Sequence, residues 1–239
     1  MDEAAGTQRR ATASRLAHIM AAAAVGGGLA GLVVGGVLGR LAMRLLAVTS
    51  PASAQGGITD DQAVVGIVSL SGSAALALFC VQGGALGGLV LLLARRVLPT
   101  TPTGRATGSA VLAAALGGAL FVHGKGSFDF TVLRPGWLAV AAFVTLPLIY
   151  GLLTPLATDA VAARAGWWLV PLGVLALVQP PTMAVGVLAF AIALVIATTG
   201  RLERLWCGRA VTVAGTALAA LLVAWGVYDL VADVLSLDS

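Results

Sequence analysis

The chain has 239 residues, 59% of them hydrophobic and only 10% charged, with a mean hydropathy of +1.00. A soluble domain carries about 25% charged residues, so there is too little charge here to cover a water-facing surface, and a soluble enzyme or binding domain is excluded. The net charge of +4 would point to nucleic acid in a soluble protein. In a membrane chain, arginines gather at helix ends as topology signals, and no nucleic-acid partner is expected.

In chain order, residues 1–15 (MDEAAGTQRRATASR) are small, polar and basic. They read as an unstructured cytoplasmic tail held at the membrane surface by Arg9, Arg10 and Arg15. A single transmembrane helical domain then spans 16–232. Its first apolar run, Leu16 to Gly39, is longer than the 7–15-residue core of a signal peptide, so it reads as a retained helix. Arg40 and Arg44 share one face of its amphipathic extension. The loop SPASAQGGITDDQ has the composition of a surface turn. A second helix is expected near 70–94, a third over 106–123 and a fourth over 137–157, the fourth kinked at Pro147 and Pro155. Residues 165–199 are too long for one crossing of a core about 30 Å thick, and Gln179-Pro180-Pro181 interrupts them. Two helices, 161–178 and 182–199, are expected there, with a re-entrant hairpin as the alternative; either returns the chain to the same side. The last helix covers 210–232, and an acidic tail, 233–239, follows. The fold class is therefore all-α: a polytopic transmembrane bundle of about seven helices.

Basic residues orient it. With the N-terminus inside, the cytoplasmic segments hold Arg9, Arg10, Arg15, Arg95, Arg96, Arg105, Arg164, Arg201, Arg204 and Arg209. The outer segments hold Arg40, Arg44, Lys125 and Arg134. The C-terminus then lies outside.

Gly27, Gly31, Gly35 and Gly39 recur every fourth residue in GGGLAGLVVGGVLGR, which lines them up on one helix face. In lipid, helices associate through close backbone contact at such small residues, because the tails are as apolar as leucine. The expected partner is the second helix through Gly84 and Gly88.

Chemistry is sparse. Ionisable groups deep in a membrane are functional by default, and the expected helices bury none, which argues against a proton-coupled pump. Gln82 and Gln179 suit interhelical hydrogen bonding. Unlike charges converge only at the outer face, where Arg40, Arg44, Asp60, Asp61, His123, Asp129 and Arg134 fall in two loops and a helix end. Two readings stay open for them: a small polar pocket for an anionic head group or a partner's loop, or ion pairs that fasten two helical hairpins. Gly124-Lys125-Gly126-Ser127 lacks the full phosphate-loop pattern and no strand precedes it. No HExxH, GxSxG or CxxC is present, and Cys80 and Cys207 are not placed to meet. No catalytic residue, metal, cofactor or disulfide is expected.

Through RLAMRLLAVTSPASAQGGITDD, VGIVSLSG and FDFTVLRPGWLAVAAFVTLP, over roughly residues 40–155, the chain resembles uncharacterised multi-pass integral membrane proteins of high-GC bacteria. The resemblance implies a bacterial inner-membrane location and carries no activity. The function expected is structural or interactive, with lipid, other membrane proteins or a second copy as partners. The alternative is a transporter or channel for a small or lipidic molecule. A polar cavity at mid-membrane would favour transport, and an apolar groove with polar groups at the interfaces would favour the first.

Overall fold

The structure, a computed structural model, describes residues 2–58, 64–67, 69–122, 130, 132–164, 166, 168–199 and 208–237. Their regular structure is helical, and the β-bridge between Ile58 and Val64 belongs to no strand. Helix α1, Asp2–Gly31, passes into a π-helical segment, Leu32–Leu38, and then into α2, Gly39–Thr49. Gly31 and Gly39, at the two joins, keep right-handed helical dihedrals, so the three form one continuous rod. Residues 2–15 are thus helical, where the sequence suggested an unstructured tail. They contain several alanines and no proline, a composition that favours helix.

Helix α3 is Leu70–Ala94, started by Ser69, whose Oγ accepts from the Gly72 N–H at 3.0 Å. Helix α4, Pro102–Phe121, begins earlier than the expected 106. Thr101 Oγ1 accepts from the Gly104 N–H at 3.1 Å, and Pro102 occupies the first turn, a pairing that favours helix initiation. Helix α5 is Gly136–Ala163, α6 Leu169–Leu175, α7 Pro180–Thr198 and α8 Arg209–Leu237.

Among the described residues six helices, with the α1–π–α2 rod counted as one, are long and apolar enough to cross a membrane. The chain is a membrane-embedded helical bundle. The difference from about seven lies at 161–178. Helix α5 takes the first residues of that stretch, and α6 has 7 residues, far short of the roughly 20 needed to cross. Gly166 before it, Pro171 within it and Gln179-Pro180 after it leave no room for a longer helix.

Packing fixes the relative directions. Helices α1 and α3 are antiparallel: Ala23 lies by Gly88, Gly27 by Gly84, and Gly36 by Ala77. Helix α5 ends where Asp159 meets Arg105, beside the start of α4. Helix α8 runs parallel to α4, since Gly215 packs on Val97, Gly226 on Ala115, and Leu230 on Gly118. Thus α1 begins, α5 ends and α8 begins at one end of the bundle, marked by Arg95, Arg105 and Asp159. The chain from 164 to 208 leaves that end and returns to it. Helix α8 finishes at the opposite end, where Leu230 and Val234 pack against a cluster that includes Leu46, Ala47, Val122, Phe130 and Leu133. The rings of Phe130 and Phe143 stand 5.3 Å apart there.

Candidate functional site

The closest helix contact is a seam of small residues between α1 and α3. A methyl group at Gly27 would lie 2.8 Å from Gly88 Cα and against the Gly84 carbonyl. One at Gly31 would lie 2.9 Å from Gly84 Cα and against the Cys80 carbonyl. Gly35 faces the Cys80 side chain, with Sγ at 2.5 Å from such a methyl. Gly39 meets only the Val34 carbonyl of its own rod, at 3.7 Å. Gly39 is buried, yet no atom of α3 lies within 4 Å of such a methyl.

Two neighbouring glycines admit further helices. Gly26 abuts the backbone of Thr158 on α5, 2.6 Å from a would-be methyl. Gly87 receives the ring of Tyr150, whose O–H donates to the Gly84 carbonyl at 2.7 Å. The bond uses a second lone pair of a helix carbonyl and so fixes α5 to α3 inside the bundle.

At the end holding Ser50 and Arg134, the structure describes three of the seven residues proposed as a polar cluster. Asp60, Asp61, His123 and Asp129 lie outside the described residues, as does Cys207. Arg44 and Arg134 are exposed, and Arg40 is partly buried beside Gly72, its Nε without a hydrogen-bond partner among the described residues. What joins α2 to the chain before α5 is neutral. The Arg134 N–H donates to Ser50 Oγ at 2.9 Å, and Ser50 Oγ donates to the Leu46 carbonyl at 2.6 Å. Gln55 Nε2 donates to the Ala47 carbonyl at 2.7 Å.

The ion pairs among the described residues are at the other end. Asp159 receives Arg105 at 3.1 Å and Arg95 at 3.8 Å, linking α5 to α4 and to the end of α3. Arg95 and Asp159 are about half exposed, while the Arg105 side chain is 14% exposed. An exposed pair of this kind contributes about 0–1 kcal/mol, so its value is registry more than strength. Beneath it is a recess of about 20 Å³, lined in part by Ser109, Thr154, Pro155 and Thr158. Ser109 is fully buried and its hydroxyl has no partner among the described residues. Pro155 carries no N–H, so the Gly151 carbonyl loses its usual acceptor role within α5. The recess has room for one water, which needs about 10–15 Å³, and an ordered water is one way such freed groups are satisfied in membrane helices.

Ser109, Thr154 and Thr158 were not singled out in the sequence, although a signal exists for the threonines. Tyr150, Thr154 and Thr158 recur at i, i+4 and i+8 in a largely apolar helix, one polar stripe on one face. Thr154 is fully buried and donates to the Tyr150 carbonyl at 2.7 Å. Gln82 is 3% exposed, and its amide nitrogen has no partner among the described residues. Gln179 stands just before α7, and its carbonyl accepts from Thr182 Oγ1 at 2.8 Å.

A larger cleft of about 330 Å³ lies where α6 and α7 approach α1. Its walls are apolar throughout: Ala, Gly, Val, Leu, Met and Phe side chains. Leu177 and Ala176 close one side by packing on Ala23, Ala24, Ala85 and Leu89. Gly173 lies against Ala21, which lets α6 sit across α1 at short range.

No protein-family model, curated protein or solved structure matches this chain.

Proposed function

We propose that this is a structural or interaction-type protein of the bacterial plasma membrane, working as a subunit of a larger membrane assembly. One observation carries the reading: among the described residues, Asp and Arg side chains stand at the ends of the bundle, and the cleft of about 330 Å³ between α1, α6 and α7 is walled by apolar groups alone. A path for a polar solute needs groups that replace its hydration, and the cleft supplies none. Meanwhile α7 and α8 leave most of their apolar surface uncovered, including Val187, Leu188 and Ile192 on α7 and Leu218, Leu221 and Trp225 on α8. These faces suit a neighbouring membrane helix, from another protein or a second copy. Extraction from native membranes in a mild detergent, followed by mass spectrometry, is expected to recover a stoichiometric membrane partner or a homo-oligomer. Recovery of a monomer alone would overturn the assembly reading.

The second reading, a protein that handles a lipidic molecule, is favoured by the same cleft, whose volume falls at the lower end of the range of about 300–1,000 Å³ for ligand pockets. It predicts a co-purifying lipid rather than a polypeptide.

A further inference from the structure

We propose that the cleft between α1, α6 and α7 holds one acyl chain of an anionic phospholipid, with its phosphate held at Ser14 and Arg10. The inference rests on the lipid reading of the cleft and adds the class of lipid and the headgroup site.

The register of α1 makes the argument. Ala17, Ala21 and Ala24 line the cleft. Counting back along the same helix face, at intervals of three and four residues, gives Ser14 and then Arg10. The stripe is therefore small and apolar inside the cleft, then a hydroxyl, then a cation. Both Ser14 and Arg10 are exposed. At 1.5 Å per residue, Ser14 lies about 5 Å and Arg10 about 10 Å beyond Ala17, in the direction of the end that also carries Arg95 and Arg105.

The cleft selects the tail. It has no donor or acceptor side chain in its walls, and burying a polar group without a partner is unfavourable, so what enters is hydrocarbon. Its walls include Ala17, Ala21 and Ala24 of α1, Gly173 of α6 and Gly186 of α7. The stripe beyond it selects the head. A cation and a hydroxyl donor fit a phosphodiester oxygen, and one arginine at a surface of anionic lipid shifts the partition by about five-fold. A zwitterionic lipid also has a phosphate, but its ammonium group offsets the attraction; a net negative headgroup gains most.

The test uses the full chain in detergent, mixed with equal amounts of phosphatidylglycerol and phosphatidylcholine of identical tails, and native mass spectrometry of the retained lipid. Wild type is expected to retain phosphatidylglycerol about five-fold over phosphatidylcholine. Arg10→Ala should bring the two level, and Arg10→Glu should reverse the order; both changes are at an exposed position and leave the bundle packed. Val187→Trp, which fills the cleft from an exposed position, should expel both lipids. Equal retention by wild type, with Val187→Trp still expelling them, would refute the anionic-headgroup proposal while leaving the cleft as a lipid site. Retention unaffected by Val187→Trp would refute the proposal and the lipid reading of the cleft together; retention of a free fatty acid in place of phospholipid would refute the phospholipid proposal while leaving the cleft as a lipid site.

Discussion

Gly31→Leu is expected to separate α1 from α3 and to leave little monodisperse protein. The side chain would enter a space already occupied by the Cys80 carbonyl and by Gly84 Cα. Overpacking usually costs about 1–3 kcal/mol because side chains rotate away. Here the obstacle is backbone, which cannot rotate away without shifting the helix. The cost should therefore exceed that range, and Gly31→Ala should already lower the melting temperature. Gly35→Leu should do less than Gly31→Leu, since it meets the Cys80 side chain. Two controls bound the effect. Gly83 has no atom within 4 Å of a would-be methyl, so Gly83→Ala should be neutral or gain up to about 1 kcal/mol in helix propensity. Leu32→Ala should cost little, because in lipid a leucine on the helix surface gains nothing over the tails it displaces. Thermal unfolding in one detergent, read by loss of the monodisperse peak, checks the series. Equal melting temperatures for Gly31→Leu and Gly83→Ala would mean the seam does not hold the two helices.

Gly151→Leu is expected to open the second seam, between α4 and α5, with a similar loss. A methyl at Gly151 would lie 2.7 Å from Ala113 Cβ and 2.8 Å from Ala110 Cα, and against the Ser109 carbonyl. Pro147 and Pro155 lie one turn to either side and each removes a backbone donor from α5. The helix therefore depends on packing against α4, where Gly117 receives Pro147. Gly151→Ala should lower the melting temperature less, and Ala113→Gly should restore part of that loss by removing one of the opposing methyls. Coupling of this kind between contacting positions is about 0.5–3 kcal/mol. The restoration should be incomplete, because the Ser109 carbonyl remains in place. A Gly151→Ala protein as stable as wild type would show that α5 does not approach α4 this closely.

The helical membrane class was legible from composition alone, since 10% charge leaves no water-facing surface. Helix positions followed from the apolar runs, and errors fell where a local signal outweighed hydropathy. Thr101-Pro102 starts α4 ahead of its apolar stretch, and Gly166, Pro171 and Pro180 reduce an apparent crossing to the short α6. The π segment was not legible, because an apolar pattern says nothing about whether N–H groups bond four or five residues back. Nor was it legible that Gly39, unlike Gly27 and Gly31, meets no atom of α3. The polar stripe of α5 was visible as spacing but not as a site: Thr154 matters because Ser109 lies on the helix opposite, and that pairing is tertiary. Charge counting found arginines near Ser50 without saying whether they converge. Arg44 and Arg134 reach solvent, and the neutral Ser50–Arg134 backbone contact holds that end.

The account rests on a bundle that crosses the membrane, with Ser53 at one end and Thr103 at the other. Single cysteines at these exposed positions, placed one at a time and treated in intact cells with an impermeant thiol reagent, test it most directly. Ser53→Cys is expected to be labelled above the parent protein, and Thr103→Cys only after the membrane is permeabilised. Labelling of both in intact cells, or of Thr103→Cys alone, would contradict the crossing or its direction.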